Sequence, residues 1–271
     1  PKLLKEELHF KVMAEKNKDW YKKWFGTKEY LELYKHRNSK DASKISGLIT
    51  RTLKLPKGSK VLDVACGNGR HSLIFASKGY DVLGIDLSDY LINEANKKLR
   101  TEYKKQKDHL RFEIRDMRDL DHKNEFDLAV NLFSSFGYFV KDSENFKVFK
   151  SISKALKPGG FFFFDFLNEA LLRKNIVPFD ISERNHNTVV QVRDIRDNAV
   201  NKTIYIISNN TKGKAPIVNR YNEMIKLYSL EDFRKSFRKY GLKVIKTFGD
   251  YSGNNFNRHS SERLIILAQK K

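Results

Sequence analysis

From Lys60 to Asn168 short apolar runs alternate with amphipathic stretches of helical spacing. The runs "KVLDVA", "DVLGID", "LRFEIRD" and "FDLAVNLF" read as strands. Between them fall a helix through "RHSLIFASK" stopped at Gly79, a helix opened by Ser88, and a helix from Ser143 to Leu156 that puts Phe146, Phe149, Ile152 and Leu156 on one face. Strands joined by helical crossovers return in the same direction, so the pattern predicts a parallel sheet covered on both faces. "FFFFDF", after Pro158-Gly159-Gly160, is then a buried central strand and not a membrane segment.

The period differs on either side of this block. Residues 1 to about 50 read as helices with interleaved aromatics, notably "DWYKKWFGTKEYLELYKHR", followed by a helix through "DASKISGLITRTL" that Pro56 and Gly58 end. After Asn168 the stretches "TVVQVRDIRD", "VNKTIYIISN" and "IVNRYNEMIKLY" alternate with period two. Turn residues Asp197-Asn198 and Asn209-Asn210 to Pro216 join them, which predicts an inserted antiparallel sheet of about three strands. Ser229, with Asp232 three residues on, opens a further helix. Gly241 stops it, and "LKVIKTF" and "ERLIILAQK" follow as strands. The expected fold is α/β: a doubly wound, mostly parallel sheet of seven strands (57–170 and 229–271), a helical N-terminal cover (1–56) and an antiparallel β module (171–228).

Composition narrows the setting. A chain of 271 residues can bury its core without staples, and its single cysteine, Cys66, excludes a disulfide framework, so a cytoplasmic location is expected. No apolar run reaches the roughly 18 residues of a membrane span, and "PKLLKEELHFK" lacks the apolar centre of a signal peptide. The 53 Lys and Arg against 33 Asp and Glu give a net charge of +20, which would attract nucleic acid. The bases are spread over every segment, however, and no nucleic-acid module accompanies them, so solvated lysine-rich helix faces are the favoured account.

Candidate chemistry lies in "VLDVACGNGRHS". A glycine-rich strand-to-helix turn can hold a diphosphate, a mononucleotide or a sulfonium ligand. In the dinucleotide fingerprint a third small residue lets helix and strand approach; after Gly67 and Gly69 that place is taken by Ser72. Acids follow each of the first three strands: Asp63, Asp86 and Asp116. Strand ends of a doubly wound sheet line one crevice, and a diphosphate there would meet repulsion of up to ~4 kcal/mol per close unit-charge pair. S-adenosylmethionine suits the three acids better, with its sulfonium, its ammonium and two ribose hydroxyls. Asp86 follows Asp63 at roughly the 20-residue interval that puts a second-strand carboxylate on a ribose.

These segments resemble the class I S-adenosylmethionine-dependent methyltransferases. "VLDVACGNGRHS", "GIDLS", "RDMRDL", "FDLAVNLFSSFGYF" and "LKPGGFFFFDF" look like five of their motifs in the expected order, with a narrower resemblance to the small-molecule branch that includes amino-sugar N-methyltransferases. The resemblance implies a Rossmann-like fold and a set of cofactor contacts. Asp63, Ala65, Gly67 and Gly69 would hold the methionine part, Asp86 the ribose with Leu87 on the adenine face, and Asp116 and Met117 the adenine edge. Asn131 and Leu132 would lie under the sulfonium, and Tyr34 and Arg37 would belong to a segment that closes over the cofactor.

Methyl transfer is an in-line displacement that needs alignment and exclusion of water, but no metal and no covalent nucleophile. Metal-ligand spacing is absent from the sequence. Residues expected near the acceptor are Tyr138, Asn168, Glu169, Arg220, Tyr221 and Glu223; His71 reads as a packing residue and His259 as a loop residue. The expected activity is methyl transfer to N or O of a small molecule. The competing readings are an RNA- or DNA-directed methyltransferase and a cofactor-binding protein without catalysis. The first of these lacks the Asn-Pro-Pro-aromatic turn used to grip a flipped base, since strand four runs into "NLFSSF".

Overall fold

A computed structural model describes residues 19–35, 39–184, 187–208 and 215–271. Seven strands form the main sheet: β1 (Lys60–Val64), β2 (Asp81–Asp86), β3 (Leu110–Ile114), β4 (Phe126–Asn131), β5 (Leu156–Leu167), β10 (Leu242–Phe248) and β11 (Arg263–Lys270). Their order is β10-β11-β5-β4-β1-β2-β3, and only β11 runs against its neighbours. The chain steps from β1 outward through β2 to β3, then starts again at β4 on the other side of β1. Ligands bind at such a reversal of strand order in open α/β sheets.

Helices cover both faces because every central strand is apolar on both. Phe162, Phe164 and Phe166 point into one layer and Phe163 into the other. The first layer is an aromatic block: Phe136 stacks on Phe149 at 4.6 Å, Phe149 meets Phe237 edge-on at 4.6 Å, and Phe233 meets Phe164 at 4.9 Å. Each buried ring adds about 1.5–3 kcal/mol relative to exposure. These contacts fix the helices Asp142–Ala155 and Leu230–Lys239 against the sheet. The second of these helices opens with the expected Ser229–Asp232 capping box.

The inserted sheet has four strands where the sequence suggests about three: β6 (Phe179–Arg184), β7 (Asn187–Arg196), β8 (Ala199–Ser208) and β9 (Ile217–Lys226), all antiparallel. β6 is a short edge strand whose two apolar residues, Phe179 and Ile181, stay more than half exposed, so its alternation spans only four residues and is weak in the sequence. Asp197 and Asn198 both adopt positive φ, 51° and 55°, as a tight β7–β8 hairpin requires. Asn209 and Asn210 lie outside the described residues, as does the expected helical stretch before Asp19. No helix among the described residues is long and apolar enough to cross a membrane.

Two short helices, α1 (Trp20–Phe25) and α2 (Lys28–Leu33), break at Gly26-Thr27, where the Thr27 hydroxyl accepts the Tyr30 amide. They lay Trp20, Tyr21 and Trp24 onto Tyr138, Phe139 and Tyr221. This aromatic seam joins the N-terminal cover to the loop after β4 and to the inserted sheet, and so closes the crevice at the carboxyl ends of the strands.

Candidate functional site

The turn between β1 and the helix Arg70–Ser77 is built on positive φ: 57° at Ala65, 57° at Gly67 and 76° at Gly69. The glycines serve different ends. A Cβ on Gly69 would sit 2.5 Å from the Phe112 ring, so Gly69 permits close packing against β3, while a Cβ on Gly67 would meet nothing within 4 Å. The Gly67 amide donates to Asp86 Oδ2 at 2.8 Å and the Ser88 amide to Oδ1 at 2.9 Å, which ties the turn to the end of β2. Burial raises the Asp86 carboxyl above its usual range against the pull of these amides.

Asp63 lies beneath the turn, 1% exposed, and accepts a 2.6 Å hydrogen bond from the Ser72 hydroxyl. Burial, reinforced by the Asp86 charge and opposed by that bond, pushes its carboxyl to about 7. Ser72 thus has a purpose that glycine or alanine could not serve: it is small enough for the close approach and it donates to the buried acid.

Two connected cavities follow the strand ends. The smaller, about 70 Å³, is a slot bounded by Ala65, Gly67, Asp86, Leu87, Asp116 and Met117. The larger, about 860 Å³, runs from Asp63 and Gly67 past Leu132 and Ser135 to the inserted sheet. Ala65, Gly67, Ser135 and Tyr138 line both.

The other residues singled out from sequence divide into those that face the cavities and those that do not. Leu132 and Tyr138 face them. Asn131 is fully buried and instead donates to the carbonyls of Val64 and Ser135, bracing β4 against β1 and the following loop. Asp116 is gripped through both oxygens by the Arg118 guanidinium, which also reaches Glu144 at 3.0 Å and lies 4.1 Å over the Phe139 ring. Arg37 lies outside the described residues.

Tyr34 lines the large chamber with its hydroxyl on Glu223 Oε1 at 2.6 Å, so its visible partner is the inserted sheet. Glu223 also accepts from Trp24 Nε1 at 2.6 Å and pairs with Lys202, which itself donates to the Tyr34 hydroxyl. With 14% and 12% of their side chains exposed, Lys202 and Glu223 form a shielded ion pair in the chamber wall. Burial raises the Glu223 carboxyl, but the Lys202 ammonium and the three hydrogen bonds outweigh it and leave the group below its ordinary range.

Four residues expected at the acceptor fall elsewhere. Asn168 donates to the carbonyls of Arg258 and Ser261, and Glu169 pairs with Arg173 and Arg258, so both hold the loop before β11. Arg220 shares the outer face of the inserted sheet with Tyr205, and Tyr221 packs on Trp24 at 4.3 Å. Alternation decides this: Tyr221 and Glu223 share the inner face and Arg220 the outer, which a sequence without a fixed register leaves open. His71 is buried against Phe133, and burial lowers it to about 3; His259 lies on an exposed loop. No group of three His, Cys, Asp or Glu that could hold a metal ion is found among the described residues.

Residues 61–160 match the methyltransferase domain family. A dTDP-3-amino-3,4,6-trideoxy-alpha-D-glucopyranose N,N-dimethyltransferase of Streptomyces venezuelae is 28% identical over 219 residues, 79% of this chain and 86% of that one. Bacillus subtilis YqeM, a methyltransferase by name, is 34% identical over 112 residues; there the match spans 43% of the relative. An S-adenosylmethionine-dependent methyltransferase from Clostridium acetobutylicum shares the fold, with a TM-score of 0.74 over 89% of this chain and 96% of that one at 23% identity. Residues 61–160 are thus a methyltransferase domain, set in a chain that shares the fold of a methyltransferase over most of its length.

The donor set suits S-adenosylmethionine, the cofactor the sequence implies. The slot is lined by apolar and aromatic side chains, among them Leu87, Met117 and Tyr138, with two carboxylates, Asp86 and Asp116, against one guanidinium, Arg115, which fits an adenosine better than a diphosphate. Several chamber residues were not foreseen: Lys202, Arg193, Tyr251 and Arg263. Lys202 stands opposite Glu223 in the β8–β9 register, a relation that needs the hairpin to be known first. Arg263 pairs with Asp165, the one charge inside "FFFFDF", a run that the sequence marks only as a buried strand.

Proposed function

We propose that this methyltransferase transfers a methyl group to the amine of a small, anion-bearing acceptor, of the amino-sugar class, in the cytoplasm. The observation that carries the reading is the half-open chamber with the Lys202–Glu223 pair in its wall. Its 860 Å³ falls in the range of small-molecule sites. The Streptomyces relative, named for an amino-sugar substrate and matched over most of both chains, supports the same class.

S-adenosylmethionine, when bound, supplies a methyl already activated on a sulfonium. Asp86 would take the ribose hydroxyls, Leu87 and Met117 the adenine faces, and the Gly67 backbone and Asp63 the methionine part. Arg118 occupies Asp116 so fully that this acid orders the adenine pocket more than it accepts from the base. On the acceptor side, Tyr138 and the cover helices exclude water and hold the amine in line, near 3 to 3.5 Å from the methyl carbon. The amine attacks as its neutral form, which desolvation in the chamber favours. Glu223, held ionised, is a poor base but accepts a hydrogen bond and stabilises the positive charge that grows on nitrogen as its electron pair forms the new bond.

The anionic part of the proposal comes from the wall. Besides the Lys202–Glu223 pair, Lys28, Lys35, Arg70, Lys98 and Arg193 line the chamber against the acids Glu32, Asp63 and Glu94. These bases come from stretches remote in sequence: Lys28 from α2, Arg70 and Lys98 from two helices of the main domain, and Arg193 from β7. The same charge would suit RNA, so both are tested together. Radiolabelled methyl uptake should saturate with free or nucleotide-linked amino sugars and stay at background with bulk tRNA; saturable methylation of one defined RNA position near physiological salt overturns the proposal.

A further inference from the structure

The turn after β4 holds two successive non-glycine residues in the left-handed region, Phe133 at φ 58° and Ser134 at φ 62°. Side-chain-bearing residues persist there only where their surroundings over-determine them. What determines them is Asp165, fully buried near the carboxyl end of β5. Its Oδ2 accepts the Phe133 amide at 2.9 Å and its carbonyl accepts the Ser134 amide at 3.0 Å. The carboxylate is itself fixed from two sides, by the Tyr251 hydroxyl on Oδ2 at 3.0 Å and by Arg263 Nε on Oδ1 at 2.8 Å. Arg263 Nη2 then returns to the turn and donates to Ser134 Oγ at 2.9 Å.

A shielded ion pair is a weak stabiliser compared with apolar side chains of the same volume, so stability explains this network poorly. Its place explains it better. Leu132, Phe133, Ser134 and Ser135 line the large chamber, and Ser135 also lines the slot. We infer that Asp165 is a positioning residue for methyl transfer: it sets the 132–135 turn and thereby the wall where slot and chamber meet, the point at which the methyl leaves the cofactor for its acceptor. Asp165 lines neither cavity and acts through the two amides it captures. The inference holds for any acceptor.

The test uses two ligands that need no acceptor, S-adenosylhomocysteine and sinefungin, whose amine stands where the transferred methyl would be. Asp165→Asn keeps an oxygen acceptor but loses the charge facing Arg263. Ser134→Gly, added to it, removes the cost of positive φ and so restores stability without restoring the fixed turn. By calorimetry the double variant should bind S-adenosylhomocysteine within threefold of wild type and sinefungin at least tenfold more weakly. A network that only supports the fold leaves the ratio of the two affinities unchanged once stability has returned, and that result overturns the inference. Tyr251→Phe, which removes one donor and no charge, provides a milder second variant: a selective loss of about threefold for sinefungin is expected, and an unchanged ratio there overturns the inference equally.

Discussion

Replacing Asp63 by Asn should make the unliganded protein more stable, by an amount that grows with pH. The acid is 1% exposed, and burial raises its carboxyl from 3.8 to about 7. Below pH 4 folded and unfolded chains both hold the proton, and the group costs nothing. Between pH 4 and 7 the unfolded chain ionises while the folded one does not, so the folded state binds more protons and stability falls as pH rises. Above pH 7 the fall is complete. At about 1.4 kcal/mol for each pH unit the whole cost is about 4 kcal/mol, of which about 3 kcal/mol accrues between pH 5 and pH 8. Asn keeps an oxygen to accept the Ser72 hydroxyl and carries no charge to bury. Urea unfolding of both proteins at pH 5 and pH 8 should therefore show the advantage of Asp63→Asn widening by about 3 kcal/mol. A bound cation favours the ionised carboxylate, so S-adenosylmethionine affinity should rise through pH 7 in wild type and stay flat in the variant. An advantage equal at the two pH values, or a flat affinity in wild type, would refute the burial argument.

Further consequences concern the turn and the chamber wall. Asp86→Ala should weaken S-adenosylhomocysteine binding by about 1–3 kcal/mol, since it removes a half-buried carboxylate that also receives the Gly67 and Ser88 amides; an unchanged dissociation constant by calorimetry would reduce Asp86 to a cap. Gly69→Ala forces a Cβ to 2.5 Å from the Phe112 ring at φ 76°, and denaturant unfolding should show a loss of at least about 2 kcal/mol. Lys202→Met strands Glu223 in the wall at an expected cost of about 3–5 kcal/mol, and adding Glu223→Gln should return most of it; two losses that simply add would show that the pair is not coupled.

The alternation of apolar runs with helical stretches was enough to order strands and helices from Lys60 to Leu167, because each central strand is buried on both faces and each helix on one. Local signals placed the helix starts at Ser88 and Ser229 and the hairpin at Asp197-Asn198, since a cap or a positive-φ turn is a property of a few adjacent residues. The glycine turn and the acids Asp63, Asp86 and Asp116 were legible for the same reason: strand ends of such a sheet face one crevice whatever else the fold does.

The acceptor side was not local. Lys202 meets Glu223 through a hairpin register, Trp24 and Tyr34 reach the same carboxylate from the N-terminal helices, and alternation sends Arg220 outward while Glu223 points in. Asn168 and Glu169, close to the strand end in sequence, are drawn to the loop before β11 because its carbonyls and Arg258 lie within reach. Asp165 was not singled out within "FFFFDF", because only the packed structure brings Tyr251 and Arg263 to it and the strained turn beneath it. Contacts that join residues about a hundred positions apart depend on how sheets and helices stack, and no short window of sequence carries that information.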